Sequence, residues 1–211
     1  MVFSIGVLIL TGFPVTRSLA APIISSQETT PPPNSEISSS SRPKNNSEST
    51  PVFGTKGFKS WYIHGALATT LDNEEAFPRR FGFVGGGLSK FFRDAHSVNL
   101  EFNTIYFDQP DDNAVGFNLA LIGRWHLIRK ANWSFYLDGG AGVMGTTNDV
   151  PRKGASFNFT PQVGAGTTIN LAHQKQLMLG LRWHHISHAE LFGSNPGRDS
   201  IMGYVGVNFP R

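Results

Sequence analysis

Cysteine is absent from the chain, which excludes a disulfide framework, a thiolate metal site and a cysteine nucleophile. No apolar run approaches the roughly 18 residues of a membrane-spanning helix. Charge is sparse: 16% of residues, 18 Lys and Arg against 15 Asp and Glu, a net +3. That excess is too small and too scattered for nucleic-acid binding, which needs Lys and Arg clustered on one face. A helical periodicity of 3.6 is also missing. What the 211 residues do have is 23 Gly and 17 Phe, a composition suited to short strands and turns.

Three segments differ in character. Val2 to Phe13 is apolar and leads to Ser18-Leu19-Ala20, a small-x-small pattern. Residues 1–20 therefore read as a secretory signal peptide, although the basic n-region is absent. Residues 21–54 are rich in Ser, Thr, Pro and Asn, including Pro31-Pro32-Pro33 and Ser38-Ser39-Ser40-Ser41. Such a segment has little apolar surface to offset its ordering entropy, and a disordered linker is expected there. From Thr55 to Arg211 the chain alternates apolar and polar residues with period two.

The clearest alternation places Phe157, Phe159, Val163, Ala165, Ile169 and Leu171 on one face and Asn158, Thr160, Gln162, Gly164, Gly166, Thr168 and Asn170 on the other. Similar runs begin near Ser60, Arg80, His96, Ala114, Asn132, Leu177 and Ser200. Eight strands in a meander close best into an up-and-down antiparallel barrel, because closure removes exposed edges. Three observations favour a transmembrane barrel in the outer membrane. Bulky side chains share the apolar face while small or amide residues share the other, as a narrow lumen requires. Connections near 69–79, 108–113, 146–156 and 188–199 are long, and those near 93–97, 128–132 and 172–176 are short. Trp61, Trp125, Trp133 and Trp183 stand towards strand ends, where an interfacial girdle would put them. A soluble lipocalin-like carrier shares the alternation but would extract without detergent.

On the polar face, Glu101, Arg124, Asp138 and Arg182 are expected to form an ion-pair network filling the lumen. Gly85-Gly86-Gly87 interrupts a strand pattern and suggests a close-packed or bulged wall. Asp111-Asp112-Asn113 lacks the spacing of a calcium loop and reads as a solvated turn.

The seventh strand carries the chemistry. Leu177, Leu179, Leu181, Trp183, His185 and Ser187 share one face, which places two polar groups on a lipid-facing row. Residues i and i+2 lie about 7 Å apart, close enough for a nucleophile–base pair. An acid must then orient the base. Asp199, at the start of the eighth strand, is one candidate and Glu190 in the loop is a second. A girdle histidine beside an unrelated strand-end serine is the plain alternative. A zinc site on His184, His185 and His188 is disfavoured, since adjacent strand residues point to opposite faces.

The run His185-Ile186-Ser187-His188-Ala189, followed by Asn195-Pro196-Gly197 and Asp199, resembles the active-site segment of the PagL-type lipid A 3-O-deacylases. These are outer-membrane barrels in which a His-x-Ser-Asn-Ala motif precedes an Asn and then a Glu. The likeness is firm over residues 185–199 and loose from Thr55 onwards. It implies that Ser187 is the nucleophile, His185 the general base and Asp199 the orienting acid. It also implies an oxyanion hole formed by the Ala189 backbone N–H and the Asn195 side chain. The implied substrate is lipid A of lipopolysaccharide, met in the outer membrane, with no cofactor, no metal and no nucleic acid involved; a homodimer is compatible. Two positions depart from the pattern: Asp199 stands for Glu, one methylene shorter, and His188 stands for Asn. A non-catalytic outer-membrane barrel, structural or adhesive, is the competing function, and it has no need of Ser187, His185 and Asp199 together.

Overall fold

The computed structural model describes residues 51–71, 80–109 and 112–211. The expected signal peptide, most of the expected linker, and parts of two long connections lie outside the described residues. Among the described residues nine strands run in order: β1 (Lys59–Thr70), β2 (Arg80–Arg93), β3 (His96–Asp108), β4 (Ala114–Arg129), β5 (Trp133–Val150), β6 (Ala155–Phe159), β7 (Gln162–Asn170), β8 (Gln176–Ile186) and β9 (Arg198–Pro210). Each pairs antiparallel with its neighbours, and β9 pairs with β1 to close the sheet. The segments β6 and β7 both pair with β5 and are two halves of one stave, parted at Thr160-Pro161, where proline has no N–H to donate. The result is an eight-staved closed antiparallel barrel, as the meander predicts.

Alternation assigns the two faces. Along β3, Ser97, Asn99, Glu101, Asn103, Ile105 and Phe107 are buried in the lumen, while Val98, Leu100, Phe102 and Tyr106 are exposed. Leu67 is 79% exposed, Val84 68% and Leu181 62%, values that make sense only where lipid replaces water. Turns at one end are short (94–95, 130–132, 171–175, the last including a 3₁₀ turn at Ala172–Gln174), and the connections at the other end are longer. One expected long connection is shorter than its composition suggests: β5 continues to Val150 and β6 resumes at Ala155. Side chains extend this hairpin, with Thr147 Oγ1 accepting the Val115 amide and Asn148 Nδ2 donating to the Asn113 carbonyl.

Charge fills the middle of the lumen. Arg182 donates to Glu101 through both Nη1 (2.9 Å) and Nη2 (3.0 Å), and Nη2 also reaches Asp138 at 2.9 Å. Arg124 closes on the same Asp138 oxygen at 2.9 Å. Tyr62 donates to Glu101, Tyr204 donates to Asp138, and the hydroxyls of Tyr136 and Tyr204 meet at 2.7 Å. Buried ions are tolerated only when paired and hydrogen-bonded, and each of these four is. Three glycines make room for the tyrosines. A β-carbon at Gly87, Gly166 or Gly180 would collide with the cross-strand ring of Tyr62, Tyr136 or Tyr204 respectively. Gly85-Gly86-Gly87 is thus a close-packed wall, and the bulge in β2 falls later, between Phe91 and Arg93. At the short-turn end the ring of Phe53 packs edge-on against Phe58, Phe91 and His126. Phe53 is therefore packed chain, inside the stretch whose composition suggests a linker.

Candidate active site

The site sits on the outer surface, at the long-connection end of β8. Register carries it: His185 on β8 faces Asp199 on β9 as a direct cross-strand pair. His185 Nδ1 lies 2.8 Å from Asp199 Oδ1. A carboxylate only accepts, so Nδ1 bears a proton, and in the neutral ring Nε2 is the nitrogen with the free lone pair. The side chains remain partly open to their surroundings, 28% for His185 and 42% for Asp199. The expected shortfall of one methylene in Asp relative to Glu disappears because Asp199 belongs to the strand itself and not to the loop before it. Glu190, the second candidate acid, is exposed in that loop with a φ of 62° and is not the carboxylate that meets His185.

Trp183 stacks on His185 with ring centroids 5.7 Å apart and an interplanar angle of 21°. The backbone of His185 is anchored by a 2.9 Å bond from its amide to the Pro161 carbonyl. Two residues on, Ser187 exchanges both backbone hydrogen bonds with Phe159, at 2.7 and 3.1 Å. This bridge holds Ser187 in line with β8 although the regular strand has ended. Neither Pro161 nor Phe159 announces such a role in the sequence, where Phe159 reads as an ordinary member of the apolar row.

Beyond Ser187 the chain turns sharply. Ala189 and Glu190 adopt φ of 52° and 62°, left-handed backbone that residues with a β-carbon rarely enter. The turn aims the Ala189 N–H back at Ser187 Oγ, 3.2 Å away. Asn195 Nδ2 reaches the same oxygen at 3.1 Å. The Asn195 amide is oriented through its other end, since Oδ1 accepts from the amides of His188 (3.3 Å) and Gly197 (3.4 Å). Gly197, at φ +40°, passes so close to His185 that a β-carbon would stand 3.4 Å from Cε1. His188 is buried, its Nε2 lies 3.3 Å from the Ser194 carbonyl, and its ring packs against Phe192. It serves the loop that carries Asn195.

Every expected site residue thus gathers within one corner: His185 with Asp199, and Ser187 with Ala189 and Asn195. The link between the two groups, from Ser187 Oγ to His185, is not formed in this rotamer. His184 points into the lumen and His185 outward, so the three histidines of this segment share no face.

A family model described as lipid A 3-O-deacylase (PagL) matches residues 51–208. Among solved structures, the outer membrane enzyme PagL superposes with a TM-score of 0.53 at 17% identity, covering 71% of this chain and 99% of that one. Neisserial surface protein A gives a TM-score of 0.51 at 12% identity, over 74% of this chain and 98% of that one. Comparison with curated protein sequences finds no match. At these identities the structures speak for the fold, an outer-membrane β-barrel, while the family model covers three-quarters of the chain and speaks for its kinship. The chain belongs to the PagL family of lipid A deacylases.

Proposed function

We propose that the protein hydrolyses the 3-O-linked acyl ester of lipid A in the outer leaflet, with Ser187 as nucleophile, His185 as general base and Asp199 as orienting acid. The observation that carries this reading is convergence: two N–H donors, from Ala189 and Asn195, aim at Ser187 Oγ while Asp199 fixes the tautomer of the neighbouring imidazole. A structural barrel has no use for a non-glycine residue held in left-handed backbone to point an amide at a serine hydroxyl.

The chemistry runs in two halves. Rotation of Ser187 about χ1 brings Oγ towards His185 Nε2; catalytic hydrogen bonds of this kind commonly tighten only with substrate bound. Oγ attacks the ester carbonyl carbon and its proton passes to Nε2. The carbonyl oxygen becomes an oxyanion in the place between the Ala189 and Asn195 donors. His185 returns the proton to the departing 3-oxygen of lipid A, leaving an acyl-enzyme on Ser187. Water, deprotonated by His185, then releases a free 3-hydroxy fatty acid and restores Ser187. Protein groups supply every proton transfer. Because Ser187 lies outside the barrel beside Phe159, the ester is met at the headgroup boundary without leaving the leaflet. Export through residues 1–20 as a signal peptide belongs to the same reading.

The test is mass spectrometry of lipid A from Gram-negative cells expressing the wild type, Ser187→Ala or His185→Ala. Loss of one 3-hydroxyacyl group with the wild type alone is expected. Full activity in both variants would refute the assignment, and loss of a different acyl chain would refute the 3-O position.

A further inference from the structure

The outer surface changes character at the short-turn end. Lys59 of β1 is the direct cross-strand partner of Lys90 of β2. On its other side, the Arg211 amide donates to the Lys59 carbonyl at 2.9 Å, so Arg211, Lys59 and Lys90 form one row across β9, β1 and β2. All three are exposed and lie on the outward face. With neighbouring strands about 5 Å apart, three cations share a span of about 10 Å. Directly opposed like charges destabilise a sheet, and among the described residues no acidic side chain stands in this row. Among the described residues Asp94 is the sole acidic side chain at this end, and its carboxylate takes the Lys56 amide at 2.7 Å.

The neighbouring row towards mid-membrane is apolar and aromatic. Phe209, Trp61 and Leu88 follow one another across the same three strands. The rings of Trp61 and Phe209 stack at 4.4 Å, and Lys175 Nζ approaches the Phe209 ring at 5.5 Å. A stacked aromatic pair marks the depth at which hydrocarbon gives way to headgroups. The cationic row lies one step outside it, at phosphate depth, in the leaflet that the short turns face.

We propose that this row is a headgroup site for an anionic glycerophospholipid. The phosphate diester sits between Lys59, Lys90 and Arg211, and the acyl chains run along Trp61, Ile63 and Leu88. Charge complementarity and depth select this occupant: the phosphate relieves the Lys59–Lys90 repulsion, and only a lipid places its apolar part on the adjoining row. A cation at an anionic membrane surface improves binding roughly fivefold, so removing two should weaken retention by about thirtyfold. A lipid held here also fixes how deep the barrel sits, and with it the height of Ser187 at the far end.

Native mass spectrometry of the refolded full chain in detergent tests this, with phosphatidylglycerol or phosphatidylcholine of matched chains added. The variants are Lys59→Gln/Lys90→Gln, the single Lys90→Gln, and Arg152→Gln/Lys153→Gln, which removes the same charge at the opposite end. Wild type should retain phosphatidylglycerol in preference to phosphatidylcholine. The double variant should lose that preference by about thirtyfold and the single by about fivefold, while the opposite-end variant keeps it. Folding of each is verified by its gel mobility without boiling. Equal loss in the opposite-end variant would reduce the effect to net charge and overturn the site. Equal retention of both lipids by wild type would overturn it as well.

Discussion

Asn195 offers a sharp test of the proposed chemistry, because its two ends do different things. Nδ2 donates to Ser187 Oγ at 3.1 Å, whereas Oδ1 accepts two long bonds, 3.3 and 3.4 Å, from backbone amides. In Asn195→Ala both ends go. Loss of one preorganised oxyanion donor costs about 10²–10³ in kcat, some 3–4 kcal/mol of transition-state stabilisation. The two long backbone contacts are worth little in a part-exposed loop, so the barrel should unfold in urea at nearly the wild-type midpoint. Asn195→Asp separates the two roles: it keeps the acceptor that orders the loop but replaces the donor with a negative charge facing the developing oxyanion. It should therefore be slower than Asn195→Ala despite being the closer isostere. The assay is single-turnover release of 3-hydroxy fatty acid from purified lipid A in mixed micelles, with KM recorded separately. Asn195→Ala within threefold of wild type, or Asn195→Asp faster than Asn195→Ala, would refute the oxyanion assignment.

Asp199→Ala should leave a measurable residual rate in the same assay, since Ser187, His185 and both donors survive, whereas Ser187→Ala and His185→Ala should leave none. Arg182→Met strips the lumen of the cation shared by Glu101 and Asp138 and should destabilise the barrel by about 3–5 kcal/mol, read as a lower urea midpoint in phospholipid vesicles. Gly180→Ala drives a methyl group into the Tyr204 ring and should cost about 1–3 kcal/mol by the same measurement, with Tyr204→Phe failing to recover it because the ring remains.

Much of the architecture was legible because a strand has a period of two, and a barrel wall separates two environments. Arg182 and Leu181 are neighbours in sequence yet differ from 1% to 62% exposed. That contrast is visible as alternation before any coordinates. The lumenal ion pairs follow, since Glu101, Arg124, Asp138 and Arg182 have no other face to occupy. The candidate site was legible as a motif, and the proximity of Asp199 to His185 as a neighbour across an antiparallel pair. What lay outside the sequence is conformational. Alanine carries no mark of left-handed backbone, so the geometry that turns the Ala189 amide towards Ser187 could not be read from its identity. The hairpin extension to Val150 was hidden because Thr146-Thr147-Asn148-Asp149 has loop composition and is held as strand by side-chain bonds to β4 and to the connection before it. Phe53 was hidden for the opposite reason: one aromatic residue in a Pro- and Ser-rich stretch gives no periodicity.

With the roles proposed for them, the pairing of His185 with Asp199 ties activity to the order of assembly. Asp199 lies on the final strand, and that strand also seals the barrel against β1. A chain still in transit, with its last strand unpaired, holds Ser187 and His185 but lacks the carboxylate that orients the base. A register slip of one residue would send Asp199 to the lumen and present a neighbour in its place. On the proposed roles, an acyl ester met before insertion encounters a serine whose base is not yet oriented, and full competence arrives with the last seam.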